Sequence, residues 1–128
     1  MKKIVQTDLA PKAIGPYSQA VKVTCAETIY VSGNIPLNPQ TMEIVGSTAA
    51  EQCKQVMDNL GEVLKAATAT FSDVVKTTIY LADMNDFATV NEIFATYFPS
   101  NPPARATVEV SRLPKDVKVE IDAIAVLS

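Results

Sequence analysis

The 128-residue chain is predicted to fold as an α+β protein, with two helices packed on one face of a mixed β-sheet in two layers. Three observations carry that prediction. Short runs rich in Val, Ile, Thr and Tyr lie near both ends and in the middle of the chain. Two longer stretches repeat apolar residues at helical spacing. No repeat, low-complexity segment or linker separates them, so residues 1–128 are read as one domain with the order β-β-β-α-β-α-β-β.

Residues 2–6 give a short first strand, and "LAPKAIGPYSQ" follows as a loop punctuated by Pro and Gly. "AVKVT" and "TIYVSG" are β-type runs separated by "CAE", which predicts a hairpin. Pro36 and Pro39 oppose regular structure in "NIPLNPQTMEIVG". A helix is expected from about Thr48 to Ala67. Thr48 and Glu51 have the spacing of a capping box, in which each side chain satisfies a free backbone N–H. Cys53, Val56, Met57, Leu60, Val63, Leu64 and Ala67 then form one apolar stripe. "VVKTTIYLA" is the next strand. A second helix near Phe87–Phe98 has Asp86 as its N-cap, and Phe87, Val90, Phe94, Tyr97 and Phe98 face inward. Pro99, Pro102 and Pro103 end it. "ARATVEV" and the run through "AIAVL" are the last two strands. Consecutive apolar residues in the final one predict cover on both faces, one by helices and the other by another subunit.

Composition excludes several kinds of chemistry. The formal net charge is −3, the wrong sign for tracking a phosphate backbone. The chain has no histidine, which removes histidine-based triads and most zinc and iron sites. Cys25 and Cys53 form no metal or redox motif; Cys53 belongs to the apolar side of the first helix. The N-terminus lacks the pattern of a signal peptide and no segment is long and apolar enough to span a membrane, so a cytoplasmic location is expected.

Only two arginines occur, and one of them, Arg105, opens a strand after two prolines. Arg105, Thr107, Glu109 and Ser111 share one, polar, face of that strand. On the last strand Glu120 shares a face with Lys118 and Asp122. A guanidinium is planar, always charged, and grips a carboxylate with two parallel hydrogen bonds. Arg105 therefore reads either as a strand-end salt bridge or as the anchor of an anionic substrate, and Glu120 as a solvated residue or a proton-transfer group. If the last two strands form a hairpin about "LPKD", Arg105 faces Ile124 and Glu120 faces Glu109. The two groups are then roughly 13 Å apart at ~3.3 Å per residue. A shared site would need a second subunit.

"PARATVEVSRLPKDVKVEI" resembles the C-terminal signature of the RidA (reactive-intermediate deaminase) family, also known as the endoribonuclease L-PSP family. "AIGPYSQAV", "VSGNIPLNP" and "NDFATVN" resemble further family blocks in the same order. The resemblance implies a chorismate-mutase-like fold, a homotrimer, and active clefts between subunits. It implies a cofactor- and metal-independent 2-iminobutanoate/2-iminopropanoate deaminase, which hydrolyses imines and enamines such as 2-aminoacrylate to 2-oxo acids and ammonia. Arg105 would hold the substrate carboxylate, and Glu120 would orient water or relay protons. Tyr17, Ser32, Gly33, Asn91 and Thr107 match the family's cleft-lining positions. Thr107 stands where some members have cysteine; a role for its backbone carbonyl survives that change, whereas thiol chemistry does not. The family is also described as containing ribonucleases and translation inhibitors, for which this acidic, histidine-free chain offers a poor base. A non-catalytic trimer that binds small carboxylates or acts as a chaperone is the other alternative.

Overall fold

In the computed structural model, which describes residues 2–128, the central sheet has four strands in the order β3-β6-β4-β5. They are β3 (Glu27–Asn34), β4 (Val74–Leu81), β5 (Ala104–Glu109) and β6 (Val119–Leu127). β6 runs antiparallel to both β3 and β4, and β5 runs parallel to β4, so the sheet is mixed as expected. The helices are α1 (Ala49–Ala66) and α2 (Phe87–Tyr97). No helix among the described residues is long and apolar enough to cross a membrane.

The first helix forms where its sequence says it should. Thr48 accepts from the Glu51 N–H at 3.2 Å, and the Glu51 side chain accepts in return from the Thr48 N–H at 3.2 Å. Such a cap contributes about 1 kcal/mol. Cys53, Val56, Met57, Leu60 and Leu64 are all buried against the sheet. Val63 and Ala67 are the exceptions: Val63 is exposed beside Met42 and Leu37, and Ala67 is half-buried at the cap that ends the helix. α2 starts at Phe87, but Asp86 makes no side-chain cap bond. Asp83 instead accepts from the Asn85 N–H at 2.9 Å and caps the short turn before the helix.

Both expected hairpins are absent. β1 (Lys2–Val5) pairs with β2 (Ala20–Val23) in a separate two-stranded ribbon, and β3 joins β6 rather than β2. β5 does not pair with β6, because β4 lies between them. The reason is the crossover through α2, which brings the chain back parallel to β4 and fills its free edge. β6 is then left to pair between β3 and β4.

Alternation assigns the two faces of the sheet. Thr77, Ile79 and Leu81 of β4, with Val119, Ile121, Ala123 and Ala125 of β6, are buried beneath the helices. With Met57, Leu60, Leu64, Val90 and Phe94 they make the core. The opposite face carries Tyr30, Thr78, Tyr80, Ala106, Val108, Glu120, Asp122 and Ile124, and no element among the described residues covers it.

Candidate functional site

The register separates the two charged residues that the sequence singled out. Arg105 pairs with Thr77, whose own partner on the far side is Ala123. Glu120 pairs with Tyr80. Thr77 and Tyr80 are three residues apart on one strand, so their side chains leave opposite faces. Arg105 thus lies on the helix-covered side and Glu120 on the open side, with β4 between their strands. The face assigned to Arg105 as polar is the one under α2. The hairpin geometry was wrong, but its consequence, that one chain does not join the two groups, holds for this different reason.

Arg105 is built into its place from three directions. Asn91, one turn into α2, accepts from its Nη1 at 2.7 Å. The guanidinium carbon lies 5.2 Å from the ring centres of both Tyr17 and Phe94 and 5.8 Å from that of Phe87, within cation–π range. Tyr17 is brought there by the loop before β2. Ser18 donates its backbone N–H to Pro103 O at 2.9 Å and its hydroxyl to Pro102 O, tying the loop to the start of β5. Gln19 keeps the rest of the loop folded, with Oε1 accepting from Thr7 N at 2.7 Å and Nε2 donating to Pro11 O at 2.7 Å. Gly15 sits so close that a Cβ there would lie 3.3 Å from Asn91 and 3.6 Å from an Arg105 nitrogen.

The result is a cation with no carboxylate. Among the described residues the ion pairs are Lys54–Asp58 and Arg112–Asp116, and neither involves Arg105. Burial pulls the Arg105 guanidinium below its usual range, and Tyr17 opposes that shift. A cleft of about 260 Å³ opens beside it, lined by Ile14, Tyr17, Phe87, Arg105 and Thr107. Four expected site residues, Tyr17, Asn91, Arg105 and Thr107, therefore meet here. Ile14, Phe87 and Phe94 join them. Phe87 and Phe94 were assigned to core packing on helical spacing alone; the "NDF" start of α2, one turn before Asn91, was the available sign that Phe87 faces a cleft.

The other three expected residues gather on the open side. Val31 pairs with Ala123 and Asn34 with Ile121, so Ser32 and Gly33 form a bulge that sets two residues against one. A Cβ at Gly33 would collide with the Glu120 carboxylate, so any other residue there would push that side chain out of its place. Burial first, and the neighbouring Asp122 charge second, push the Glu120 carboxyl above its ordinary range. Asp122 itself accepts from the Thr78 N–H at 3.2 Å and the Tyr80 hydroxyl at 3.0 Å. No group of three or more Cys, Asp or Glu among the described residues is placed to hold a metal ion.

Known proteins resemble this chain along almost its whole length. A family described as Endoribonuclease L-PSP matches residues 7–127. The 2-iminobutanoate/2-iminopropanoate deaminase of Mus musculus is 54% identical over 126 residues, 98% of this chain and 92% of its own length. YyfA of Yersinia pestis, a member of the conserved Rid protein family, superposes with a TM-score of 0.77 at 44% identity, covering 99% of this chain and 100% of that one. E. coli TdcF, solved with bound serine, gives a TM-score of 0.76 at 43% identity over 98% of this chain and 99% of its own. These relatives, and the match from residue 7 to residue 127, show that the chain belongs to the RidA family, whose shared domain is described as Endoribonuclease L-PSP.

Proposed function

We propose that the protein is an imine deaminase acting on small 2-imino and 2-enamino acids, working as one RidA-like domain without cofactor or metal. The observation that carries this reading is the unpaired guanidinium of Arg105, held by Asn91 and three aromatic rings at the mouth of a cleft. Such a group is preorganised for a carboxylate, and the small cleft with Ile14 and Phe87 at its wall suits a short aliphatic side chain. The mouse relative is a deaminase of this substrate class, and TdcF holds a small amino acid, both consistent with a carboxylate on Arg105.

An iminium carbon is already electrophilic. An enamine reaches that state by taking a proton on carbon; water then adds, one of its protons passes to nitrogen, and the other leaves the oxygen as the C–N bond breaks to give a 2-oxo acid and ammonia. The catalyst has to hold the carboxylate, aim the water and move a proton. Arg105 does the first. Glu120 does the last two, supplied by a second copy of the chain, because its own Glu120 lies on the wrong face. Ser32, Gly33 and Glu120 of one subunit then close the cleft formed by Tyr17, Asn91, Arg105 and Thr107 of the next. A closed ring of three such contacts gives the homotrimer, with the open sheet faces turned inward.

The test couples a serine or threonine dehydratase, which releases the enamine, to detection of 2-oxo acid. Wild type is expected to speed oxo-acid release. Arg105→Ala is expected to lose at least ~100-fold in kcat/KM, about 3 kcal/mol of charge-assisted binding, and Arg105→Lys to recover only part of it. Wild type that leaves the rate unchanged sinks the deaminase reading.

A further inference from the structure

The open side holds two carboxylates in unlike surroundings. Glu120 and Asp122 are alternate residues of β6 and so project from the same face. Asp122 is pinned. The Thr78 amide on β4 and the Tyr80 hydroxyl, reaching diagonally across the strand pair, both donate to it. Glu120 accepts no hydrogen bond among the described residues and is wedged against the Ser32–Gly33 bulge. One acid is fixed as an acceptor, and its neighbour is free to exchange a proton. Pairs of titratable groups in contrasting environments are how folds divide acid and base roles.

The other charged and titratable groups on this face do not cancel the effect. β3 contributes Tyr30, β4 contributes Lys76 and Tyr80, and Lys118 stands just before β6; the β5 residues there, Ala106 and Val108, carry no charge. Neither lysine is ion-paired to Glu120 or Asp122 among the described residues. Within one chain, Asp122 is thus the charge that acts on Glu120, and in the proposed assembly it works against the Arg105 guanidinium of the next copy.

We infer that Asp122, held by Tyr80 and the Thr78 amide, is a positioning residue whose fixed charge favours a proton on the Glu120 carboxyl beside it, so that Glu120 serves as the acid for the departing amine. This rests on the reading of Glu120 as the proton relay. Glu120 gives its proton to the leaving nitrogen and regains one from the water that has added to carbon, so the cycle closes without another reactant. The upward shift of the Glu120 carboxyl, caused first by burial and second by the Asp122 charge, agrees with it. Asp122 need touch no substrate.

The experiment follows the Glu120 carboxyl carbon by ¹³C NMR across pH, assigned with Glu120→Gln, in wild type, Asp122→Asn and Asp122→Glu. Asp122→Asn removes the charge with little change of shape. It is expected to lower the Glu120 midpoint by roughly half a unit or more, and Asp122→Glu to keep most of the wild-type value. With dehydratase in excess at each pH, the alkaline limb of kcat is expected to move down by the same amount. An unchanged midpoint in Asp122→Asn, with native subunit mass and melting temperature, overturns the inference even if wild type hydrolyses imines well. A lowered midpoint in a protein that hydrolyses none supports the Asp122–Glu120 coupling and removes the deaminase reading instead.

Discussion

The two faces of the central sheet are built from the same strands yet ended differently. On the helix side, residues such as Ile79, Leu81, Val119 and Ile121 are almost fully buried by α1 and α2. On the open side Tyr30 is 78% exposed and Val108 40%. One face is finished by the chain itself. The other has Ile124 and Val126 of a strand that is apolar at consecutive positions, and it carries half of the candidate catalytic groups. Stability is concentrated on one side of the layer, whereas the candidate site residues are split between the two: Arg105 and its cleft lie under α2, and Glu120 lies beside the Ser32–Gly33 bulge on the open side.

Substitutions can push on each face separately. The largest effect is expected at the centre of the covered one. Leu60→Ala leaves a cavity beneath α1 and should cost about 2–5 kcal/mol in urea unfolding. A loss under 1 kcal/mol would mean that the covered face is less decisive than its burial indicates. Arg105→Ala should come next, abolishing turnover through the cleft while leaving the fold intact. On the open face, Tyr30→Lys disturbs no packing within one chain, so the subunit should keep its secondary structure by circular dichroism, while the proposed trimer, read as mass by light scattering, should fall to monomer. A trimer that survives would show that Tyr30 stays outside the contact, and would break the symmetry of the comparison.

The smallest expected effect concerns pH. Burial raises the folded-state carboxyl of Glu120 above its ordinary 4.5. Folding is therefore favoured by the protonated form, and that contribution is complete below the ordinary value and lost as pH rises through the raised one. Glu120→Gln should then stabilise the protein at neutral pH, by less than about 1 kcal/mol because the group is partly solvated, and the gain should vanish in acid. Paired melting curves at neutral and acidic pH read this directly. A gain that grows in acid would reverse the sign of the argument.

Much of the fold was legible because it is written locally. The capping box at Thr48 and Glu51, the stripe from Cys53 to Leu64, and the β-branched run of β4 each need only neighbours along the chain. Of the candidate site residues, Arg105 stood out by its placement after two prolines, while Tyr17, Ser32, Gly33, Asn91 and Thr107 came only through the family resemblance. Pairing was not legible. "CAE" and "LPKD" look like hairpin connections, but strand partners are chosen by which edges remain free, and that depends on the crossover through α2. Phe94 shows the same limit: its spacing says core, and it is core, yet it also carries one side of Arg105.

The sequence by itself determined which segments become helix and strand, that chemistry here cannot use histidine, and that Arg105 and Glu120 are the groups to explain. The tertiary structure alone decided that β4 stands between them. Alternation along a strand is a local rule, but which face is buried and which strand is next door are set by long-range packing, and that packing sends the arginine into a cleft under α2 and the glutamate to the uncovered side.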